Sequence, residues 1–376
     1  MILDADHVAV QDAVRGYVQD RIAPMAAAWD RDSHFPKAEL QGLAALGCYG
    51  VAVPTELDGA GLDYLALAVI LEEIAAGDGA TSTIVSVNNC PVCSILMAWA
   101  NEAQKERWLK PLARGDMLGA FCLTEPHVGS QADGLKTTAL REGGEYVLNG
   151  VKQFITSGKN GDVAIVMAVT DKAAGKRGIS AFVVPTATPG YTVASLETKL
   201  GQHASDTAQI VFENCRVPAA NLLGEEGQGL KIALSGLEGG RIGIGAQAIG
   251  MARAAFDAAL AYAKDRVAFG KPIFEHQAVQ FRLAEMATRI EAARQLVHHA
   301  ASLKDAGRPC LKEAAMGKLM ASEMAERVCS DAIQIFGGYG YVNDFPVERI
   351  YRDVRVCQIY EGTSDVQKIL IGRALA

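Results

Sequence analysis

The sequence has no excess of positive charge: 36 lysines and arginines stand against 43 aspartates and glutamates, and the formal net charge is −7. Proteins that bind nucleic acids usually present a basic face, so we expect no nucleic-acid partner. The chain shows no uninterrupted apolar run of the roughly 18 residues that a membrane span needs. Residues 1–6 also lack the basic segment followed by an apolar one that marks a secretory signal. These absences predict a cytoplasmic protein without a membrane span.

Cysteine is scarce and scattered: eight Cys in 376 residues do not make a disulfide scaffold, and they favour a reducing compartment. Cys90 and Cys93 have the spacing of a redox or zinc pair, but no second pair follows and no His lies nearby. We interpret them as buried packing thiols. His298 and His299 are adjacent, so they point to different faces of a helix and cannot form a metal-binding pair. We predict no metal site.

A chain of 376 residues is too long for one ordinary core, so we expect two or three domains. Residues 1–117 are rich in Ala and Leu and predict helices that are interrupted at Pro36, Pro54 and the turn 59–61. Residues 118–225 contain short apolar runs between turn residues, with Gly143-Gly144 as a tight hairpin turn. This middle segment is predicted to be a small β-barrel or sandwich. The runs are residues 163–167, 181–184 and 210–212.

The helical period returns from residue 226 to the end of the chain. Apolar side chains step by three and four along the seam of a helix that packs in a bundle. They are Leu283, Met286, Ile290, Ala293, Val297 and Ala300. A further helix is predicted from Lys312 to Phe336 and ends at Gly337-Gly338. The predicted fold class is therefore α+β, with an N-terminal helical domain (1–117), a middle β domain (118–225) and a C-terminal antiparallel four-helix bundle (226–376).

Glycines recur within one predicted helix of the bundle, where each costs about 1 kcal/mol relative to Ala. We expect close helix packing to explain most of them, with approach of a ligand as the alternative. They are Gly236, Gly239, Gly240, Gly243, Gly245 and Gly250. No Gly-x-Gly-x-x-Gly follows a predicted strand, so the sequence does not support a Rossmann dinucleotide site.

Four separated segments carry the chemistry. They are residues 121–130 (FCLTEPHVGS), 265–272 (DRVAFGKP), 334–341 (QIFGGYGY) and 359–364 (IYEGTS). In this order and at these separations they resemble the acyl-CoA dehydrogenase family of flavoenzymes, and the likeness extends along nearly the whole chain. The resemblance implies an α, then β, then α layout and an FAD cofactor.

Dehydrogenation of an acyl thioester needs a base for the α-proton, an acceptor for the β-hydride and donors for charge on the thioester oxygen. By resemblance, Glu361 is the base, flavin N5 accepts the hydride and an electron-transfer flavoprotein receives the electrons. The Glu361 N–H and a ribityl hydroxyl of FAD would bind the thioester carbonyl. Some family branches place the base just before the arginine that is Arg241 here, but that position is Gly240.

The resemblance also assigns the cofactor contacts. Leu123, Thr124 and Ser130 would lie against the isoalloxazine and its substrate side, and Thr156 would bond near N5. Phe154 stands where the family often has Trp, so the ring cover is kept and the indole N–H is lost. Residues expected to reach the flavin of a neighbouring subunit are Arg266, Phe269, Gln277, Gln334 and Gly338, while Thr363 and Asp365 would close over the cofactor in their own. This sharing implies an obligate oligomer, a homotetramer built as a dimer of dimers.

Substrate contacts are less strongly marked. By resemblance, Glu238 contacts the CoA moiety, Tyr360 lines the acyl pocket, Gly362 leaves room for the substrate, and Ser130 lies on the substrate side. Arg241 either lies near the thioester or braces its helix. Thr83 and Val87 are placed at the pocket floor.

The charge and length of the acyl group are indicated by Ser82 and by the stretch 238–243. Family members that take a dicarboxylic acyl group carry an Arg near Ser82, so its absence here predicts an uncharged acyl chain. The stretch 238–243 is more similar to the short-chain and short branched-chain branches.

Two other functions are compatible with the sequence. Enzymes on the same scaffold include acyl-CoA oxidases, nitroalkane oxidases and flavin monooxygenases, and Glu361 counts against the last two. A non-catalytic acyl-CoA-binding protein would have lost the base or the flavin contacts, and neither loss is seen in this sequence.

Overall fold

A computed structural model of the protein describes residues 2–376. The N-terminal part is helical, and its breaks follow the prolines and glycines that the sequence analysis identified. Asp63 begins the long helix α4 by accepting a hydrogen bond from the Ala66 N–H. The helices are α1 (Ala5–Tyr17), α2 (Ala26–Asp32), α3 (Lys37–Ala45), α4 (Tyr64–Gly77), α5 (Gly79–Val87), α6 (Ser94–Trp99), α7 (Glu102–Gln104) and α8 (Lys110–Arg114).

One segment of the described residues, Gly79–Trp99, is long and apolar enough to cross a membrane, but 83% of its most apolar stretch is buried inside the protein. The segment contains α5, a wide helical turn with Pro91, and α6. Ile84 and Val85 pack in one core cluster and Ile95 in another, so the apolar side chains are satisfied within the fold.

The middle part forms one mixed sheet of eight strands. They are β1 (Gly119–Cys122), β2 (Thr138–Glu142), β3 (Glu145–Thr156), β4 (Val163–Val169), β5 (Ile179–Pro185), β6 (Tyr191–Leu196), β7 (Thr207–Pro218) and β8 (Leu222–Leu223), in the order β6-β7-β3-β2-β4-β5-β8 with β1 beside β4. Gly143, at φ +63°, and Gly144 make the tight turn between β2 and β3, as predicted. The three predicted apolar runs lie in β4, β5 and β7.

Successive side chains of β4 pack into the cores on the two opposite faces of the sheet. Ile165 and Met167 pack toward Trp108 and other N-terminal helical residues, whereas Ala164 and Val166 pack toward the opposite face with Phe212. Successive side chains of a strand point to opposite faces, so a strand buried on both faces reads as a continuous apolar run. The sheet therefore has a core on each side.

The C-terminal part is a helix bundle. Its elements are α9 (Gly229–Asp265), β9 (Val267–Ala268), β10 (Lys271–Pro272), α10 (Gln277–Asp305), α11 (Leu311–Phe336), α12 (Val347–Val354) and α13 (Ser364–Leu375). The predicted seam of α10, from Leu283 to Ala300, is buried, and α11 ends at Phe336 before Gly337, as expected. The bundle shares one continuous core cluster with α1 and α4.

Several glycines of α9 lie where another segment of the chain approaches the helix closely. A Cβ built on Gly236 would lie 2.7 Å from a side-chain carbon of Pro91, and one on Gly250 would lie 2.2 Å from the Glu72 carbonyl oxygen. Helix packing therefore accounts for these positions, as the sequence analysis expected. Gly240 differs, because the group it faces is Glu361.

Candidate active site

Glu361 and Gly362 form a turn between two helical segments, and both have left-handed backbone conformations, with φ of +51° and +90°. This region is uncommon for a residue with a side chain, and such strain concentrates at functional sites. Thr363 then caps α13, because its hydroxyl accepts a hydrogen bond from the Val366 N–H at 3.3 Å. Phe154 and Phe269 share the left-handed conformation, with φ of +59° and +53°.

The carboxylate of Glu361 packs directly on α9. A Cβ built on Gly240 would lie 1.8 Å from Glu361 Oε2, so only glycine leaves room for the carboxylate there. The residue as a whole is half-buried, but Oε2 itself is sealed from solvent and has no hydrogen-bond partner among the described residues. Burial raises the pKa of Glu361 to about 7, and the charges of Arg241 and Lys318 oppose that rise. A carboxylate with this proton affinity is suited to accept a proton near neutral pH.

Arg241 lies beside this carboxylate and is only 5% exposed. Its Nε and Nη1 atoms are buried without hydrogen-bond partners in the described structure, so these atoms do not brace the helix. Burial lowers the pKa of Arg241, while the charges of Glu361 and Glu238 act in the opposite direction. Orphaned donors of this kind are rare in native proteins, and a polar ligand would satisfy them.

Two side chains hold the back of the Glu361–Gly362 turn, and sequence analysis missed both. Lys318 Nζ donates to the Gly362 carbonyl at 2.6 Å. Gln367 Nε2 donates to the carbonyls of Gly362 at 2.8 Å and Glu361 at 3.2 Å. The available signal was the position of Lys318 within the apolar stripe of α11, where a charged residue requires a reason.

The Tyr360 hydroxyl belongs to a buried network of hydrogen-bonded side chains. It donates to Gln247 Oε1 at 2.5 Å, and Gln247 Nε2 donates to the Gly79 carbonyl at 2.7 Å. The Thr83 hydroxyl donates to Gln202 Oε1 at 2.6 Å, and Gln202 Nε2 lies 3.5 Å from the Tyr360 hydroxyl. The network therefore joins α5, α9, the loop before β7 and the Tyr360 segment. Gln202 and Gln247 carried no motif and were not identified from the sequence.

Four of the predicted flavin contacts of the middle domain, Leu123, Thr124, Phe154 and Thr156, lie near one end of β3. The Gln153 N–H donates to the Thr124 carbonyl at 2.8 Å, which places the segment after β1 beside Phe154 and Thr156. Leu123 is buried, Thr124 and Thr156 are half-buried, and Ser130 is exposed. The Phe154 ring is 62% exposed. An exposed aromatic ring in a strained backbone, beside half-buried hydroxyls, fits a flat aromatic cofactor.

A buried ion pair supports this region. Lys152 Nζ lies 2.8 Å from Glu125 Oε1 and donates to the Leu123 carbonyl at 3.1 Å. Glu125 also accepts the N–H groups of Lys136 and Thr137 at 2.7 and 3.0 Å. Burial would raise the pKa of Glu125, but the Lys152 charge and these hydrogen bonds hold it below its ordinary value. Glu125 lies inside the 121–130 motif, yet nothing in the sequence indicated its partner.

The residues predicted to reach a neighbouring subunit form a separate, exposed group on the bundle. Phe269 is 96% exposed, and it lines a groove of about 310 Å³ together with Gln334. The Arg266 guanidinium lies 5.8 Å from the centre of the Tyr339 ring. Gln277 and Gly338 are exposed as well. No hydrogen bond or ion pair of residues 2–376 connects this group to Glu361.

The remaining predicted contacts are placed as follows. Glu238 is half-buried and accepts from Lys304 Nζ at 3.1 Å and from the Cys310 thiol at 3.5 Å. The Asp365 side chain is 88% exposed, with Lys368 Nζ at 3.9 Å. Val87 is half-buried and packs against the core cluster that contains Ile95 and Trp108.

Across residues 2–376 no group of three or more His, Cys, Asp or Glu is placed to hold a metal ion. All eight cysteines are free and buried, including Cys90 and Cys93, in line with their interpretation as packing thiols.

Comparison with known proteins places the chain in a family. Residues 4–116, 120–215 and 227–376 match the N-terminal, middle and C-terminal domains of acyl-CoA dehydrogenases. The human mitochondrial short-chain specific acyl-CoA dehydrogenase is 46% identical over 98% of this chain and 90% of its own length.

Two solved structures have the same fold. Butyryl-CoA dehydrogenase from Megasphaera elsdenii superposes with a TM-score of 0.97 at 42% identity, covering 100% of this chain and 99% of that one. A chain in a structure described as the electron transferring flavoprotein of Acidaminococcus fermentans, from work on flavin-based electron bifurcation, gives a TM-score of 0.98 at 44% identity, with coverage of 100% and 99%. The chain therefore belongs to the acyl-CoA dehydrogenase family of FAD-dependent oxidoreductases, and it has that family's three-part fold.

Proposed function

We propose that the protein oxidises a short, uncharged acyl-CoA thioester between its α and β carbons to the trans-2-enoyl-CoA, with Glu361 as the base. The observation that carries this proposal is the Glu361 carboxylate, which packs on Gly240 with Oε2 buried and unpartnered. A desolvated carboxylate has a raised proton affinity, which a weakly acidic carbon requires of its base. The α-hydrogen leaves as a proton to Glu361, the β-hydrogen leaves as a hydride, and the carbon–carbon double bond forms.

FAD supplies the hydride acceptor, N5 of the flavin, because no amino-acid side chain accepts a hydride at a useful potential. Residues of this chain that would hold it in their own subunit are Leu123, Thr124, Ser130, Phe154, Thr156, Thr363 and Asp365. The exposed Phe154 ring would cover the flavin face. The Thr156 hydroxyl would bond at the flavin edge.

The turn at Glu361 also supplies a donor. In the proposed arrangement the Glu361 N–H binds the thioester oxygen, where oxyanion donors contribute about 3 kcal/mol each. Lys318 and Gln367 hold the carbonyls of the turn from behind, so its N–H groups are oriented before the substrate arrives. Arg241 provides positive charge beside the carboxylate. Gly362 leaves space for the substrate, and Glu238 would contact the CoA moiety.

A short acyl chain is favoured by the network around Tyr360. Gly240, Ile244 and Gln247 follow one face of α9, so the face that meets the Glu361 carboxylate continues to Gln247. There the side chains of Gln247, Thr83 and Tyr360 bond one another and occupy the space beyond the turn. The names of the relatives, short-chain specific and butyryl-CoA dehydrogenase, agree with this substrate class.

Anaerobic titration with acyl-CoA esters tests the proposed function. We expect butyryl-CoA and short branched-chain esters to bleach the flavin absorbance stoichiometrically, and palmitoyl-CoA to leave it unchanged. Glutaryl-CoA, which carries a second carboxylate, serves as the charged control and should also fail. Failure of every ester to bleach a protein that retains FAD would contradict the proposal.

Electrons would pass to an electron-transfer flavoprotein, a partner supported by the likeness to the Acidaminococcus fermentans chain. Stopped-flow reoxidation separates this function from an acyl-CoA oxidase. We expect slow reoxidation in air and fast reoxidation by oxidised electron-transfer flavoprotein. Rapid reoxidation by oxygen alone would make the protein an oxidase.

The free cysteines support a reducing compartment, the cytoplasm.

We further propose a homotetramer in which Arg266, Phe269, Gln277, Gln334 and Gly338 complete the flavin site of a neighbouring subunit. The exposure of the Phe269 ring and its groove supports this arrangement, because large apolar side chains on a surface mark contact sites. Arg266 would bind the pyrophosphate of FAD, since a guanidinium pairs with phosphate through two parallel hydrogen bonds.

Arg266→Ala is therefore expected to weaken FAD retention and the oligomer together. Size-exclusion chromatography with light scattering, read together with the ratio of flavin to protein absorbance, measures both effects. Arg289→Ala is the matched control, because Arg289 lies on the exposed side of α10 and, among residues 2–376, forms an ion pair with Glu285 alone, at 3.3 Å. A holo-tetramer unchanged by Arg266→Ala would refute the shared site.

A further inference from the structure

Lys318 is a buried lysine without an anionic partner. Its side chain is fully enclosed between α11 and the Glu361 turn, with 0% exposure. The one hydrogen bond its ammonium donates goes to the Gly362 carbonyl, at 2.6 Å, and no carboxylate lies within 4.0 Å among the described residues. Burial of an ammonium without an ion pair is strongly unfavourable, so the residue calls for a functional explanation.

The charged and titratable groups around Glu361 come from every element that packs on it. Arg241 on α9 and Lys318 on α11 both favour the ionised carboxylate. Glu238, on the same helix as Arg241, favours the charged form of that arginine. The Cys90 thiol interacts electrostatically with Glu361, and the Cys357 thiol interacts with Lys318. Two cations from different helices therefore flank one buried acid.

We propose that Lys318 is a positioning residue for the base: its ammonium fixes the Glu361–Gly362 turn through the Gly362 carbonyl and supplies positive charge that favours the ionised form of the Glu361 carboxylate. The inference rests on the proposed role of Glu361. It adds that the proton affinity of the buried base is lowered by a residue on another helix, which has no contact with the reacting atoms.

The pH range of this effect follows from the two groups. Burial lowers the pKa of Lys318 to about 8, so the ammonium is still charged where Glu361, with a pKa of about 7, must ionise. Without that charge, burial would act on Glu361 against Arg241 alone, and the carboxyl would hold its proton to higher pH.

Lys318→Met tests the proposal, because it removes the charge at nearly constant volume while Gln367 still donates to the Gly362 carbonyl. The measurement is the rate of flavin reduction between pH 5.5 and 9, in the holoenzyme with butyryl-CoA. We expect the midpoint of the rise in rate to move upward by about 1 unit, the lower end of the effect of a nearby opposite charge. The rate should fall about tenfold near pH 6 and approach the wild-type rate near pH 9, with KM little changed.

Lys199→Met is the matched control. Lys199 is a half-buried lysine that also donates to a backbone carbonyl, that of Ser205. The acids that act on it are Asp206, Asp353 and Glu197. Its loss should leave the midpoint unmoved. Lys318→Gln, which keeps an amide donor but no charge, should shift the midpoint like Lys318→Met and replaces it should the methionine variant fail to fold.

A second readout needs no turnover. Infrared titration of the oxidised holoenzyme follows the protonated carboxyl band of Glu361, identified by its disappearance in Glu361→Gln. We expect this band to persist to higher pH in Lys318→Met than in the wild type. An unshifted band in a folded variant that retains FAD would overturn the role of Lys318. Turnover retained by Glu361→Gln would instead refute the proposed base, so the two failures are distinguishable.

Discussion

Glu361→Gln reduces the rate of flavin reduction by about 10²–10⁴-fold, the usual contribution of a positioned general base, while FAD and acyl-CoA remain bound. The amide has nearly the shape of the carboxylate and fits the same space against Gly240, but it cannot accept the α-proton. Anaerobic stopped-flow measures the rate, and difference spectra with a non-reducible acyl-CoA measure binding. Retained turnover would remove Glu361 from the mechanism.

A matched control for this substitution is Glu326→Gln. Glu326 accepts a hydrogen bond from the Gln358 side chain and lies 3.5 Å from Arg355. Because substitutions outside special sites usually change free energies by about 0.5 kcal/mol or less, its rate should stay within about twofold of the wild type. A loss comparable to that of Glu361→Gln would show that the assay follows stability rather than proton abstraction.

The raised pKa of Glu361 also fixes how the reduction rate of the wild type and the Tm of Glu361→Gln depend on pH. In the wild type the reduction rate rises as the pH increases through about 7, because only the ionised Glu361 accepts a proton. The folded pKa lies above the ordinary 4.5, so the stability that the neutral carboxyl contributes is complete below pH 4.5 and is lost as the pH rises through about 7. Glu361→Gln should therefore have a higher Tm than the wild type at pH 8 and a similar Tm at pH 4.5. A Tm difference that is constant with pH would contradict the buried carboxyl.

Lys152→Met is the second substitution with a large expected effect. It removes the lysine partner of the buried Glu125 and leaves that carboxylate with His127 Nε2 at 3.5 Å. Breaking a buried pair from one side typically costs about 3–5 kcal/mol. It also removes the donor to the Leu123 carbonyl, so the segment that carries Leu123 and Thr124 loses its anchor. We expect a marked fall in Tm together with faster release of FAD, measured by flavin fluorescence during heating.

The double variant Lys152→Met with Glu125→Gln separates charge from shape. Removal of both charges should recover part of the lost stability, since no uncompensated charge remains buried. Lys136→Met is the control, because the Lys136 side chain is exposed and only its backbone N–H bonds Glu125. Equal destabilisation in the single and double variants would show that packing, rather than the unpaired Glu125, causes the loss.

Much of the fold could be predicted because its signals are local. The seam of α10 repeats at the helical period, the Gly143-Gly144 turn joins two strands, and Gly337 follows the end of α11. These patterns depend on neighbours a few residues away, which a sequence displays directly. The division at residues 117 and 225 remains a prediction, and the first and last parts share one core cluster.

The residues of the candidate site also fall into two groups, those that local motifs identify and those that depend on distant partners. Glu361, Arg241 and the flavin-facing residues could be named from motifs, and their roles remain proposals. Lys318, Gln367, Gln202 and Lys152 could not be named, because each acts on a partner that is distant in the chain. Lys152 meets Glu125 across 27 positions, and Gln202 meets Tyr360 across 158.

The sequence by itself determined the chemistry at Glu361: a carboxylate in a turn, followed by a glycine that allows the left-handed backbone. Only the tertiary structure decided how strongly that carboxylate holds a proton. Gly240 of α9 removes water from Oε2, while Arg241 and Lys318 bring positive charge from two helices. Desolvation and Coulomb interactions depend on distance in space rather than on separation along the chain, so the pKa of the base is a property of the folded molecule.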